Sequence, residues 1–339
     1  MPTRAPPDPC GWSDAEPPAS TRRPIQRPLP AHQLRQPSDF GWATGVPPRL
    51  PRDDGSAPHL AELRALGLAG SIDAHTHWFP DNVNAKIWAY FDRHYWPVTY
   101  RETTERRVEW MRRNGVRRFT TLAYAHRPGM AEWLNGWTME FCARVPEAIP
   151  CATFYPEPEA AAYVRRAIEE HGVRAFKIHL RVGDFDPGVA ELEGVFERIA
   201  AAGLPVVVHA GSAPDPGRFT LPGVMERLLA RHPRLRLIIA HLGASEFAHY
   251  LTLAESRPTV ALDTTMVFTG FSACDPYPDR FLARLEAISD RVLFGSDFPT
   301  IPYPLSHAVR SLLRLPLSAE AKRRMLWDNA LRWFGVGAP

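Results

Sequence analysis

Residues 173–241 contain three apolar runs, VRAFKIH (173–179), PVVVHA (205–210) and RLRLIIAH (234–241), each with a histidine near its C-terminal end. Between them lie VAELEGVFERIAAAG and GVMERLLARHP, whose apolar residues recur at helical spacing. A short apolar run, then an amphipathic stretch, then Gly or Pro, is the β–α alternation of a parallel sheet. The spacing is regular: His209 follows Lys177 by 32 residues, and His241 follows His209 by 32. A βα unit takes roughly 30 residues, so these side chains fall at equivalent places on successive strands.

The same texture extends in both directions. Upstream come SIDAH (71–75), RRFTTLA (117–123) and IPCATF (149–154); downstream come TVALDTT (259–265) and RVLFGSD (291–297). Helical stretches fill the gaps, among them ETTERRVEWMRRNG, GMAEWLNGWTMEFCARV, PEAAAYVRRAIEEHG and PDRFLARLEAISD. Asp297 lies 56 residues after His241, close to two units, which leaves one strand between them. His75 to Lys177 spans 102 residues, three units plus an inserted loop. Eight strands are therefore expected within residues 59–339, near the roughly 250 residues of a (β/α)8 TIM barrel. An open doubly wound sheet would need a Gly-rich phosphate turn after an early strand, and no GxGxxG stands there.

Composition narrows the function. The 339 residues carry 40 Lys+Arg against 37 Asp+Glu, a net charge of +3, with 45% hydrophobic and 23% charged residues. Such a balance suits a soluble globular protein and makes no electrostatic case for nucleic acid or a membrane surface. No apolar stretch reaches the length of a membrane span, and the N-terminus lacks the apolar core of a signal peptide, so a cytoplasmic location is expected. Cys10, Cys142, Cys151 and Cys274 form no CxxC pair. Residues 1–58 hold 14 of the 35 prolines and read as a disordered tail, whose removal is expected to leave the site intact.

In a parallel barrel the C-terminal strand ends carry the active site. Here those ends present His75 and His77, Lys177 and His179, His209, His241 and Asp297. Residues at i and i+2 on a strand point the same way, so His75 and His77 can reach one ion together. Closing the ring makes the eighth strand a neighbour of the first and brings Asp297 beside the histidine pair. Imidazole and carboxylate suit a borderline divalent metal, zinc first and manganese as the alternative. Taken singly, each residue has a plainer reading: a polar cap for a strand-end histidine, a local cap for Asp297 in GSDFP. Their order and spacing together favour the metal site, with Asp297 also able to accept a proton. The loop WFPDNVNAKIWAYFDRHYWPVTY (78–100) could be a lid over a planar substrate, or Trp88, Tyr90 and Phe91 could be packed core. His126, Arg127 and Arg181 are candidate contacts for an anionic substrate.

The pieces IDAHTH, FKIH, VVVHAG, IIAHLG and LFGSDFP, with the closing MLWDNALRWFG, resemble the amidohydrolase superfamily in its amidohydrolase-related branch over about residues 66–335. That branch includes aminocarboxymuconate semialdehyde decarboxylase, resorcylate decarboxylases, lactonases and other hydrolases. The resemblance implies one divalent ion on His75, His77, His209 and Asp297, with His241 at the site as a second catalytic group. It also raises a binuclear form in which Lys177 is carboxylated, with His179 or His241 near a second metal. An unmodified Lys177 ranks first. The implied activity is hydrolysis of an amide, ester or lactone by activated water. A non-oxidative decarboxylase on the same site is the alternative, and a non-catalytic binding barrel the third. Homodimers occur among such relatives, so a homodimer is a further expectation.

Overall fold

The computed structural model describes residues 40–42, 58–271 and 273–339. Its strands are β1 (Ser71–Asp73), β2 (Val116–Thr120), β3 (Ala148–Ile149), β4 (Cys151–Thr153), β5 (Ala175–His179), β6 (Pro205–His209), β7 (Arg236–Ile239), β8 (Val260–Asp263) and β9 (Val292–Leu293). All neighbours are parallel, in the orders β1-β2-β3 and β4 through β9. Pro150 separates β3 from β4; lacking an N–H, it interrupts the ladder inside what is one stave. Nine segments thus make eight staves. The first and last are joined by Ala74 N–H to Phe294 O (2.8 Å), Asp297 N–H to His75 O (2.9 Å) and His77 N–H to Phe298 O (2.7 Å). The fold is the (β/α)8 barrel that the spacing predicts, and all eight expected runs supply its staves.

Alternation along each strand sorts the core. Phe176, Ile178, Val206, Val208, Leu237, Ile239 and Leu262 join the large cluster under the helices. Their neighbours Ala175, Val207, Ile238, Ala261 and Leu293 form a separate cluster with Ile72, Leu122 and Cys151 in the barrel interior. Ala330, Trp333 and Phe334 belong to that second cluster, so the closing helical segment packs onto the interior. Burial on both faces is why the strands read as continuous apolar runs. Two residues beyond Ala175, Val207 and Ala261, on the same strand face, come Lys177, His209 and Asp263. The polar site is therefore the next layer above the apolar interior.

The helices Thr104–Arg113, Met130–Arg144, Ala160–Glu169, Glu193–Ala201 and Leu282–Ala287 fall within the stretches read as helical, and Pro222–Arg231 does so but for its first residue. Helices Phe247–Ser256 and Leu305–Leu313 add to them. The loop after β1 holds the helix Asp81–His94. Most of the Pro-rich segment 1–58 lies outside the described residues. Phe40, Gly41 and Trp42, however, are placed against the barrel, and Trp42 forms an antiparallel bridge with Phe271. Reading that segment by its prolines overlooked two large aromatic residues able to bury area of their own. Among the described residues no helix is long and apolar enough to cross a membrane.

Candidate metal centre

Donor atoms of His75, His241 and Asp297 lie within 4.8 Å of one another, a group that could hold a metal ion. His75 and His77 leave β1 on the same side. Asp297 follows β9 and takes a left-handed backbone (φ +73), and His241, after β7, does likewise (φ +55). Such conformations are rare for residues with a Cβ and gather at functional sites. Gly295 makes room: a methyl there would stand 2.1 Å from Thr265 Oγ1 and 2.6 Å from His75 Cβ.

The anchoring of the imidazoles decides what they can do. His75 Nδ1 pairs with Asp263 Oδ2 at 2.8 Å, His77 Nδ1 with the Leu122 carbonyl at 2.7 Å, and His241 Nδ1 with the Thr265 carbonyl at 3.1 Å. A carbonyl only accepts, so Nδ1 carries the proton in His77 and His241 and Nε2 keeps its lone pair. The ionised Asp263 imposes the same tautomer on His75. This is the outer-shell pattern that orients metal-binding histidines. His77 Nε2 then faces Asp297 Oδ1 at 3.0 Å and His75 Nε2 faces the same oxygen at 3.6 Å. Two acceptors at that separation attract only if a proton or a cation lies with them, so the donor set fits a divalent ion.

Electrostatics support this. Burial pushes His75 down to about 3, with Lys177 adding to the effect, and holds His241 below the ordinary imidazole range. Burial alone would raise Asp297 and Asp263. The contact with His77, once a proton lies in it, outweighs burial at Asp297, and the hydrogen bond from His75 Nδ1 does so at Asp263, so both carboxyls fall below their ordinary range. Lys177, fully buried, has Nζ 3.4 Å from His75 Nε2 and is pushed down to about 8 by burial, which Asp263 and Asp297 partly offset.

His179 and His209 stack, with ring centroids 3.9 Å apart, but their nitrogens are committed differently. His179 Nδ1 accepts from Val182 N–H at 3.4 Å, leaving Nε2 as a donor. His209 Nε2 is held by the Ala213 carbonyl at 3.1 Å, and its ring lies 4.8 Å from that of His241. Both rings line the cavity above the site. Asp263 is the residue that sequence reading missed. It is buried, holds His75, and accepts from the His241 N–H at 2.9 Å. The signal was present: an aspartate inside the apolar run TVALDTT. Asp73, quoted only within a motif, accepts from His75 N–H (3.2 Å) and Ser296 N–H (3.0 Å) and is pushed up to about 7 by burial.

The cavity measures about 320 Å³, with His77, His179, His209, His241 and Asp297 at its base. Tyr90, Phe91, Tyr95, Trp96 and Tyr124 furnish ring walls, and Lys86, His126 and Arg181 line it too. Arg127 is not among the lining residues. The aromatic loop splits between its two readings. Trp88 is buried against Arg107 (5.6 Å), whereas Tyr90, Phe91, Tyr95 and Trp96 face the cavity. Among the described residues Arg181 makes no ion pair with a carboxylate.

A model of the amidohydrolase family matches residues 72–336, and the chain belongs to that family of enzymes. No curated protein matches the sequence significantly. Among solved structures, an uncharacterized TIM-barrel protein from Bordetella bronchiseptica superposes with a TM-score of 0.64 at 19% identity, covering 78% of this chain and 98% of its own. A candidate 2-pyrone-4,6-dicarboxylic acid hydrolase from Pseudomonas putida reaches 0.59 at 22% identity (80% and 99%). The 5-carboxyvanillate decarboxylase of Novosphingobium aromaticivorans, complexed with manganese, reaches 0.57 at 15% (80% and 97%). At these identities the likeness is one of fold.

Proposed function

We propose that this enzyme is a metal-dependent hydrolase of a small, planar, anionic molecule, cleaving a C–O or C–N bond of the ester, lactone or amide type. The observation that carries the reading is the convergence of Asp297 with imidazoles anchored through Nδ1 at the base of a ring-walled cavity. His75, His77 and Asp297 would hold the ion, with either His209 or His241 as the third imidazole. His241 already aims Nε2 inward; His209 would have to release the Ala213 carbonyl. A bound divalent ion supplies Lewis acidity and lowers the pKa of water toward about 7. Asp297 is the group placed to take a proton from attacking water and return it to the leaving group. Its Oδ2 has Thr300 Oγ1 at 3.3 Å to steady it. His179, with Nε2 as donor, is placed to hydrogen-bond a substrate oxygen. Arg181 offers its guanidinium to a substrate carboxylate, and the aromatic walls favour a flat ring and keep bulk water out.

A non-oxidative carboxy-lyase is the second reading. It draws on Arg181, which lines the cavity, as a cation for an aromatic acid, and on the fold shared with the manganese-complexed decarboxylase; Lys177 lies buried behind the lining. Manganese- and zinc-loaded protein tested against lactones, esters, amides and hydroxylated aromatic acids separates the two. Appearance of the carboxylic acid together with its alcohol or amine, without CO2, supports hydrolysis; CO2 release without bond hydrolysis overturns it in favour of the lyase.

A further inference from the structure

The tripeptide Phe40-Gly41-Trp42 touches three of the loops that shape the cavity. Phe40 packs edge-on against Tyr95 and Trp96, with ring centroids 5.8 and 5.2 Å away. Both partners line the cavity. Trp42 bridges to Phe271 through the backbone, and its ring lies 5.1 Å from that of Phe271, 5.9 Å from Tyr303 and 5.7 Å from His307. Phe271 in turn meets Trp96 at 5.2 Å. His307 holds the loop after β8 through the Thr269 carbonyl at 2.7 Å, and that loop gives Met266, Ala273 and Cys274 to the cavity wall.

One path runs on to the reacting end. Trp96 Nε1 donates to the Thr300 carbonyl at 2.8 Å, and Thr300 Oγ1 donates to the Asp297 carbonyl at 2.9 Å and reaches its carboxylate at 3.3 Å. The geometry points to Phe40 and Trp42 as positioning residues: a strap that pins the loops after β1, β8 and β9 together and so sets the cavity wall and the seat of Asp297. Neither residue touches the candidate ligands, so neither is catalytic. The strap works by aromatic contact, which depends on ring shape rather than charge.

Hydrogen exchange on the full-length chain tests this without reference to any reaction. In the Phe40→Ala/Trp42→Ala double variant, amides of residues 90–100 and 264–271 should exchange about tenfold faster, while those of β5 to β8 keep their protection. Trp42→Phe, which retains a ring, should restore most of the protection. Should the double variant fail to fold, Phe40→Leu carries the same local expectation at about threefold. Unchanged exchange in both segments, acceleration spread evenly over the barrel, or no recovery with Trp42→Phe would each overturn the strap.

Discussion

Asp297 holds a left-handed backbone, contacts two imidazoles and carries a carboxyl whose pKa burial alone would raise. Replacing it with asparagine keeps the shape and removes the proposed proton acceptor. Turnover by the Asp297→Asn variant should fall by about 10²–10⁴-fold, with circular dichroism unchanged. Near-normal turnover would remove Asp297 from the chemistry. Asp263 acts one step back, through His75. Asp263→Asn loses the charge that fixes the His75 tautomer, and metal affinity should weaken by about 10–100-fold by competition with a chelator. Removing His75 and His77 together should bring metal content to background. Metal analysis of His209→Ala and His241→Ala identifies the third imidazole, since only loss of a true ligand empties the site. At this scale the sequence was readable where residue types are rare in strands, as with HxH and the lone Lys177. Asp263 escaped because one carboxylate in a strand carries no spacing partner. The commitment of His209 to Ala213 depends on a loop conformation that periodicity does not encode.

Among elements, the helix Asp81–His94 shows how the cavity wall is held from outside. Arg107, fully buried, reaches Asp81 Oδ1 at 2.6 Å and Thr104 Oγ1 at 2.9 Å, with its guanidinium 5.7 and 5.6 Å from the Trp78 and Trp88 rings. Breaking a fully buried pair costs about 3–5 kcal/mol; Asp81 is half-exposed, so Arg107→Ala should cost roughly 2 kcal/mol in urea unfolding. Lysine should restore little, since it lacks the planar fork that stacks between rings. The strands were legible because both of their faces are buried. The covering helix was not decidable from its aromatics, because Trp88 and Tyr90, two positions apart, serve opposite sides. Phe40 and Trp42 were hidden by the prolines around them.

For the whole molecule, the four histidines around the site, His75 and His209 buried and His179 and His241 half-buried, weigh on the response to acid. Burial holds His75, His179, His209 and His241 below the ordinary range near 6.5; neighbouring positive groups add to it at the first three, whereas at His241 Asp297 and Asp263 partly offset it. As pH falls below about 6.5 the unfolded chain takes up protons that the folded chain refuses, so stability drops. Asp73, pushed up to about 7, works in the other direction: the folded form gains its proton first, and its contribution grows as pH falls through 7. His59, His126, His232 and His307 are likewise held below the ordinary range, so the lowered imidazoles outnumber the one raised carboxyl. Metal-free protein should therefore lose thermal stability steadily from pH 7 to pH 5 in a calorimetric series. A flat or rising melting temperature would contradict the neutral imidazole cluster.

Gly295 carries a consequence for anyone reshaping this pocket. The space beside its α-carbon is already taken by the Thr265 hydroxyl and the His75 β-carbon. A saturation library at that codon should return one amino acid among its active clones. Any attempt to retune selectivity by mutagenesis has to begin at the ring-bearing rim instead.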